Sequence, residues 1–121
     1  MKHSGPHFGL VPKILALPCG AALILAAYVG SGAGADSDAT IKTFQFKPGS
    51  LVAKAGTRVT WTNTDEITHT VTSGTPDRLD DQFRSPLAGK GATFSFTFSR
   101  PGTYPYFCER HPSMRGEIRV D

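Results

Sequence analysis

The sequence predicts an all-β fold, a sandwich of two antiparallel sheets, and three observations predict it. From Thr40 onward, apolar and polar residues alternate with period two in one short run after another. No stretch of useful length carries the period of an amphipathic helix. Turn-forming triplets, Lys47-Pro48-Gly49, Lys54-Ala55-Gly56 and Arg100-Pro101-Gly102, punctuate the runs.

The chain opens with Met1-Lys2-His3 and Lys13, runs apolar from Ile14 to Val29, and reaches the small residues Gly30 to Ala35. That is the tripartite layout of a secretory signal peptide. Its apolar run of 16 residues is broken by Pro18 and Gly20, and falls short of the roughly 20 residues of a spanning helix. We expect cleavage after Ala35, leaving one domain over residues 36–121 in the periplasm. Retention of the leader as a membrane anchor is the alternative.

Asp36 to Ala39 read as a short polar lead. Phe44 and Phe46 share a face, and Leu51 to Ala53 form a brief segment. Val59, Trp61 and Asn63 then lie on one side of a strand whose other side is Arg58, Thr60 and Thr62. The next run places Ile67, His69 and Val71 together and Thr68, Thr70 and Thr72 opposite, so parity puts His69 on the apolar side. Ser73 to Gly91 read as a loop with a short edge strand at 82–85. Phe94, Phe96 and Phe98 alternate with Ser95 and Thr97; Tyr104, Tyr106 and Cys108 continue one face; Ile118 and Val120 point inward with Arg119 outward. Six to eight strands result.

Residues 36–121 hold 11 lysines and arginines against 10 acids, a balance that argues against a polyanionic partner such as nucleic acid. Cys108 is the one cysteine beyond the predicted leader, so no internal disulfide can form. A lone thiol in an oxidising compartment needs an occupant.

That occupant is suggested by Cys108-Glu109-Arg110-His111-Pro112-Ser113-Met114, which spaces thiol, imidazole and thioether at intervals of three. Pro112 disfavours a helix, so a tight loop between strands is expected to wrap these groups around one point. Residues 36–121 contain one further histidine, His69. Two His, one Cys and a weaker Met form the set that suits a single copper ion in electron transfer, because soft sulfur favours Cu(I) while imidazole also suits Cu(II). On the residues alone, other uses stay open: a structural zinc site, a nucleophilic Cys108 with a histidine base, or copper storage and delivery.

The run Thr103-Tyr104-Pro105-Tyr106-Phe107-Cys108, followed by His111-Pro112 and Met114-Arg115-Gly116, resembles the copper-binding loop of the cupredoxins, the type I blue copper proteins. Its Cys-x-x-His-x-x-Met spacing is most similar to that of amicyanin, and the plastocyanins are related. Val59-Thr60-Trp61-Thr62-Asn63 and His69-Thr70-Val71 match upstream. The resemblance implies a Greek-key β-sandwich with one type I copper on His69, Cys108, His111 and Met114, and a monomeric electron carrier rather than an enzyme. It implies that Asn63 supports the site by tying the two ligand-bearing loops together, and that redox proteins dock transiently near His111. Membrane contact is expected only if the leader stays attached. Arg110 and Ser113 depart from the amicyanin pattern, in which proline and an apolar aromatic flank the equivalent His-Pro pair, so the surface around His111 is expected to be more polar and more positive.

Overall fold

Alternation predicts which residues share a strand face, and burial follows it. In the run from Thr57 to Asn63, Val59, Trp61 and Asn63 are fully buried while Arg58 is exposed. The computed structural model describes residues 35–121, and the expected leader lies outside the described residues apart from Ala35. Nine strands and no helix occur among them: β1 (Asp36–Ile41), β2 (Phe46–Lys47), β3 (Ser50–Ala53), β4 (Thr57–Asn63), β5 (His69–Thr75), β6 (Arg78–Leu87), β7 (Thr93–Phe98), β8 (Gly102–Cys108) and β9 (His111–Val120). No helix of the described residues is long and apolar enough to cross a membrane.

Two sheets form, in the orders β2-β1-β4-β7 and β3-β9-β8-β5-β6. Between them lies a core built on Trp61, whose ring meets those of Phe83, Phe94, Phe98 and Tyr106. Aromatic burial on this scale supplies much of the driving force for a domain of this size.

Three features differ from the expectation. The polar lead is a strand: Ala39 and Ile41 are buried, and β1 runs parallel to β4 from Asp36 opposite Arg58 to Ile41 opposite Asn63. The sandwich is therefore mixed, since β3 and β9 are also parallel. The expected loop after Ser73 is mostly the long edge strand β6, in which only Phe83 and Leu87 are buried. An edge strand covered on one face needs few apolar residues, which hides its alternation.

The β5–β6 hairpin is shaped by a bulge at Gly74, whose φ is +99°. A β-carbon there would overlap the backbone carbonyl of Arg78. Ser73 fills the irregularity, its Oγ accepting the amides of Gln82 and Phe83 at 3.0 and 2.9 Å.

Candidate metal centre

Cys108 ends β8, His111 begins β9, and the two-residue turn Glu109-Arg110 joins them. Phe107 pairs with Arg115 while Cys108 pairs with His111, so residues 112–114 bulge from the ladder. Within that bulge Met114 turns inward and joins the same buried cluster as Cys108. Strand β5 lies beside β8, antiparallel to it, which carries its first residue, His69, to the same end of the sheet.

There the ligand atoms of His69, Cys108 and His111 all lie within 4.8 Å of one another. Cys108 Sγ is 3.7 Å from His69 Nδ1 and 3.9 Å from His111 Nδ1. Donors held roughly 2.0–2.3 Å from one ion in a trigonal arrangement stand about 3.5–4 Å apart, so the spacing fits a shared metal. Cys108 and His69 are fully buried, whereas His111 keeps partial exposure.

The surrounding hydrogen bonds hold these atoms in a metal-ready state. Asp65 Oδ2 lies 2.9 Å from His69 Nε2, so that nitrogen carries the proton and Nδ1 turns a free lone pair toward the sulfur. The same carboxylate accepts the amides of Thr43 at 2.8 Å and Phe44 at 3.0 Å. Those bonds, Phe44's first, hold the Asp65 carboxyl below the usual carboxylate range, with His69 adding to them and burial opposing them. Thr70 donates its amide to Cys108 Sγ at 3.3 Å, which fixes the position of the sulfur.

A second network pins the turn. Glu109 donates its amide to Thr70 Oγ1 at 2.8 Å, and its carboxylate accepts from Thr72 Oγ1 at 3.0 Å and from Arg84 Nε at 2.9 Å. The Arg84 guanidinium holds the Glu109 carboxyl below its ordinary value, with Thr72 assisting and burial opposing. Thr70 and Thr72 are thus buried on the face that parity left for solvent.

Asn63 is fully buried but does not tie the two ligand-bearing loops together. Its Nδ2 donates to Ile67 O at 2.7 Å and Leu87 O at 3.1 Å, which uses both amide hydrogens, and its Oδ1 accepts from Asp65 N at 2.9 Å. It therefore shapes the segment leading to His69 and fastens it to β6. The bond between the two loops comes from Thr70 instead.

Two apolar residues also sit differently from the expectation. Ile67 is exposed, because residues 64–68 are not strand and parity does not propagate through them. Phe44 does not share the burial of Phe46: Thr43 and Phe44 adopt φ of 53° and 59°, and the ring swings out over the site. It meets both imidazoles edge-on, with centroids 5.4 Å from His69 and 4.9 Å from His111. Asp65, Phe44, Thr70 and Glu109 were not singled out in the sequence as site residues. Only the adjacency of Thr70 to His69 and of Glu109 to Cys108 could have drawn attention to any of them.

Comparison with known proteins points the same way as the donor set. A family profile described as copper binding proteins, plastocyanin/azurin family, matches residues 33–121. The chain is 34% identical to amicyanin-alpha of Methylorubrum extorquens over 70% of its own length and 71% of that protein's. It is 30% identical to amicyanin of Paracoccus denitrificans, covering 85% of this chain and 93% of that one. Among solved structures it is similar to a purple cupredoxin from Nitrosopumilus maritimus, with a TM-score of 0.66 and 29% identity over 71% of this chain and all of that one. With a buried thiol, two converging imidazoles and this profile match, the chain belongs to the plastocyanin/azurin family of copper-binding proteins, the cupredoxins.

Proposed function

We propose that this protein is an exported, periplasmic one-electron carrier that holds a single type I copper on His69, Cys108, His111 and Met114. One observation carries the reading: two imidazole Nδ1 atoms lie 3.7 and 3.9 Å from one buried cysteine sulfur. When bound, copper supplies a one-electron Cu(I)/Cu(II) couple to such a donor set. The chain's task is to keep the donors still. Asp65 fixes the His69 ring, the Thr70 amide steadies the sulfur, and Glu109 anchors the turn to β5 and β6. A site held this firmly rearranges little when its charge changes by one, which favours fast transfer over bond-making chemistry.

His111 is the half-buried member of the set, and a redox partner approaching this end meets its imidazole first. Export is supported by the leader-like amino terminus, and cleavage after Ala35 would leave β1 whole, since that strand begins at Asp36.

The test is to load the protein with Cu(II) and record its visible and electron paramagnetic resonance spectra. An intense blue or purple thiolate charge-transfer band is expected, abolished by Cys108→Ser. Met114→Leu should keep the band and shift the reduction potential. A protein that stays colourless, or binds copper only weakly, would end the type I assignment. Transfer of the ion to an acceptor on mixing, without redox cycling, would favour copper delivery instead.

A further inference from the structure

Charge at the metal end is distributed unevenly. Hydrogen bonds bring together there the loops around Lys42–Gln45, Thr64–Thr68 and Gly89–Ala92. Its three carboxylates are all engaged. Asp65 holds two amides and His69, Glu66 faces Lys90 at 3.7 Å, and Glu109 is bonded to Arg84 and Thr72.

Four cations at this end form no ion pair among the described residues: Lys42, Lys47, Arg110 and Arg115. Lys42 closes the turn that presents Phe44, through reciprocal backbone bonds with Gln45. Arg110 directly precedes His111. Lys47 and Arg115 line a shallow groove of about 410 Å³ with Phe44, Ser113 and Met114, and Arg115 Nε donates to Pro112 O at 3.3 Å, which holds its guanidinium against the ligand loop.

The metal end thus carries six lysines and arginines against three acids, and the rest of the domain carries five against seven. The near-neutral domain is polarised, with its positive pole around His111. At the centre of that pole, half-exposed Phe44 offers an apolar contact in edge-to-face touch with the half-buried imidazole.

Resting on the carrier reading, we infer that the face around His111 docks a redox protein through a cluster of carboxylates on that partner, with Lys42, Lys47, Arg110 and Arg115 ringing an apolar contact at Phe44. Opposite charges steer the encounter and orient it, and the small apolar centre excludes water where the redox centres come closest. Charge of this kind acts on the association rate and is screened by salt.

The experiment follows electron exchange between the copper-loaded protein and two forms of one acceptor, basic native cytochrome c and its acidic succinylated derivative, in whichever direction is downhill. At low ionic strength the succinylated form should react faster, by about tenfold, and the advantage should vanish with added salt. The double variant Lys42→Glu with Arg110→Glu should lose most of that advantage with its visible spectrum intact. Arg100→Glu, in the β7–β8 turn at the far end, should keep it. Equal rates for the two acceptors, or a faster native form, would overturn the inference, as would an equal effect of Arg100→Glu, which would point to bulk charge. If a protein with a normal thiolate band exchanges electrons with neither acceptor, the carrier reading itself falls and the docking inference with it.

Discussion

Asp65 does more for the site than its place in the sequence suggests. One carboxylate orders the Thr43-Phe44 turn and fixes the proton of His69 on Nε2. Removing it frees the buried imidazole to rotate or change tautomer, and releases the aromatic ring that covers both histidines. Asp65→Ala is expected to weaken copper binding by about 10–100-fold, the usual cost of losing a carboxylate behind a ligand histidine. Competition with a chelator of known affinity measures it, and an unchanged affinity would remove Asp65 from the account. The proposed ligands were legible as candidates because the inventory of soft donors in residues 36–121 is so small. Asp65 was not, since four residues before a histidine is no signature in a segment that forms neither helix nor strand.

At the scale of elements, the β8–β9 hairpin carries three of the four proposed ligands and depends on a close fit between its strands. Tyr106 pairs with Gly116, and its buried ring lies across that glycine, where a β-carbon would overlap the ring Cζ and hydroxyl. Gly116→Ala must push the ring into a core already filled by Trp61 and Phe46. We expect a loss of about 3 kcal/mol, at the upper end for overpacking, read from urea unfolding of the copper-free protein. A loss below about 0.5 kcal/mol, typical of an unconstrained surface site, would show that the ring has room to move. Strands with one clean apolar face, such as β4 and β7, were readable from alternation. Strand β6 was not, because an edge position with two buried side chains leaves almost no period to detect.

For the molecule as a whole, the core and the metal site share Cys108 and Met114, but side-chain packing alone fills the rest of the core. The Trp61 cluster needs no ion to pack, and the hydrogen bonds of Asp65, Thr70 and Glu109 already hold the donors in place. Copper removal should therefore leave a folded β protein of lower stability. A ligand present at about 1,000 times its dissociation constant adds about 4 kcal/mol, so calorimetry should show a clear fall in Tm on demetallation while the far-ultraviolet circular dichroism persists. Loss of the β signature without copper would show that the ion organises the fold, as structural zinc does in small domains.

What could be read along the chain is what depends on residue type and local period: the β class, the inward parity of His69 and the Cys-His-Met loop with its copper chemistry. Both signals act over a few residues and survive without any knowledge of neighbours. Only the tertiary structure decided that Asp65 backs His69, that Phe44 lies over both imidazoles, that Asn63 serves the β6 side instead of the Cys108 loop, and that Lys42 and Lys47 join Arg110 and Arg115 at the metal end with none of the four ion-paired among the described residues. Phe44 reaches both imidazoles and Asn63 reaches Leu87 across more than 20 residues, and even the four-residue contact of Asp65 with His69 forms in an irregular segment whose carboxylate is held by the distant amides of Thr43 and Phe44. How the two sheets close around Trp61 sets these distances, and no local pattern encodes that closure.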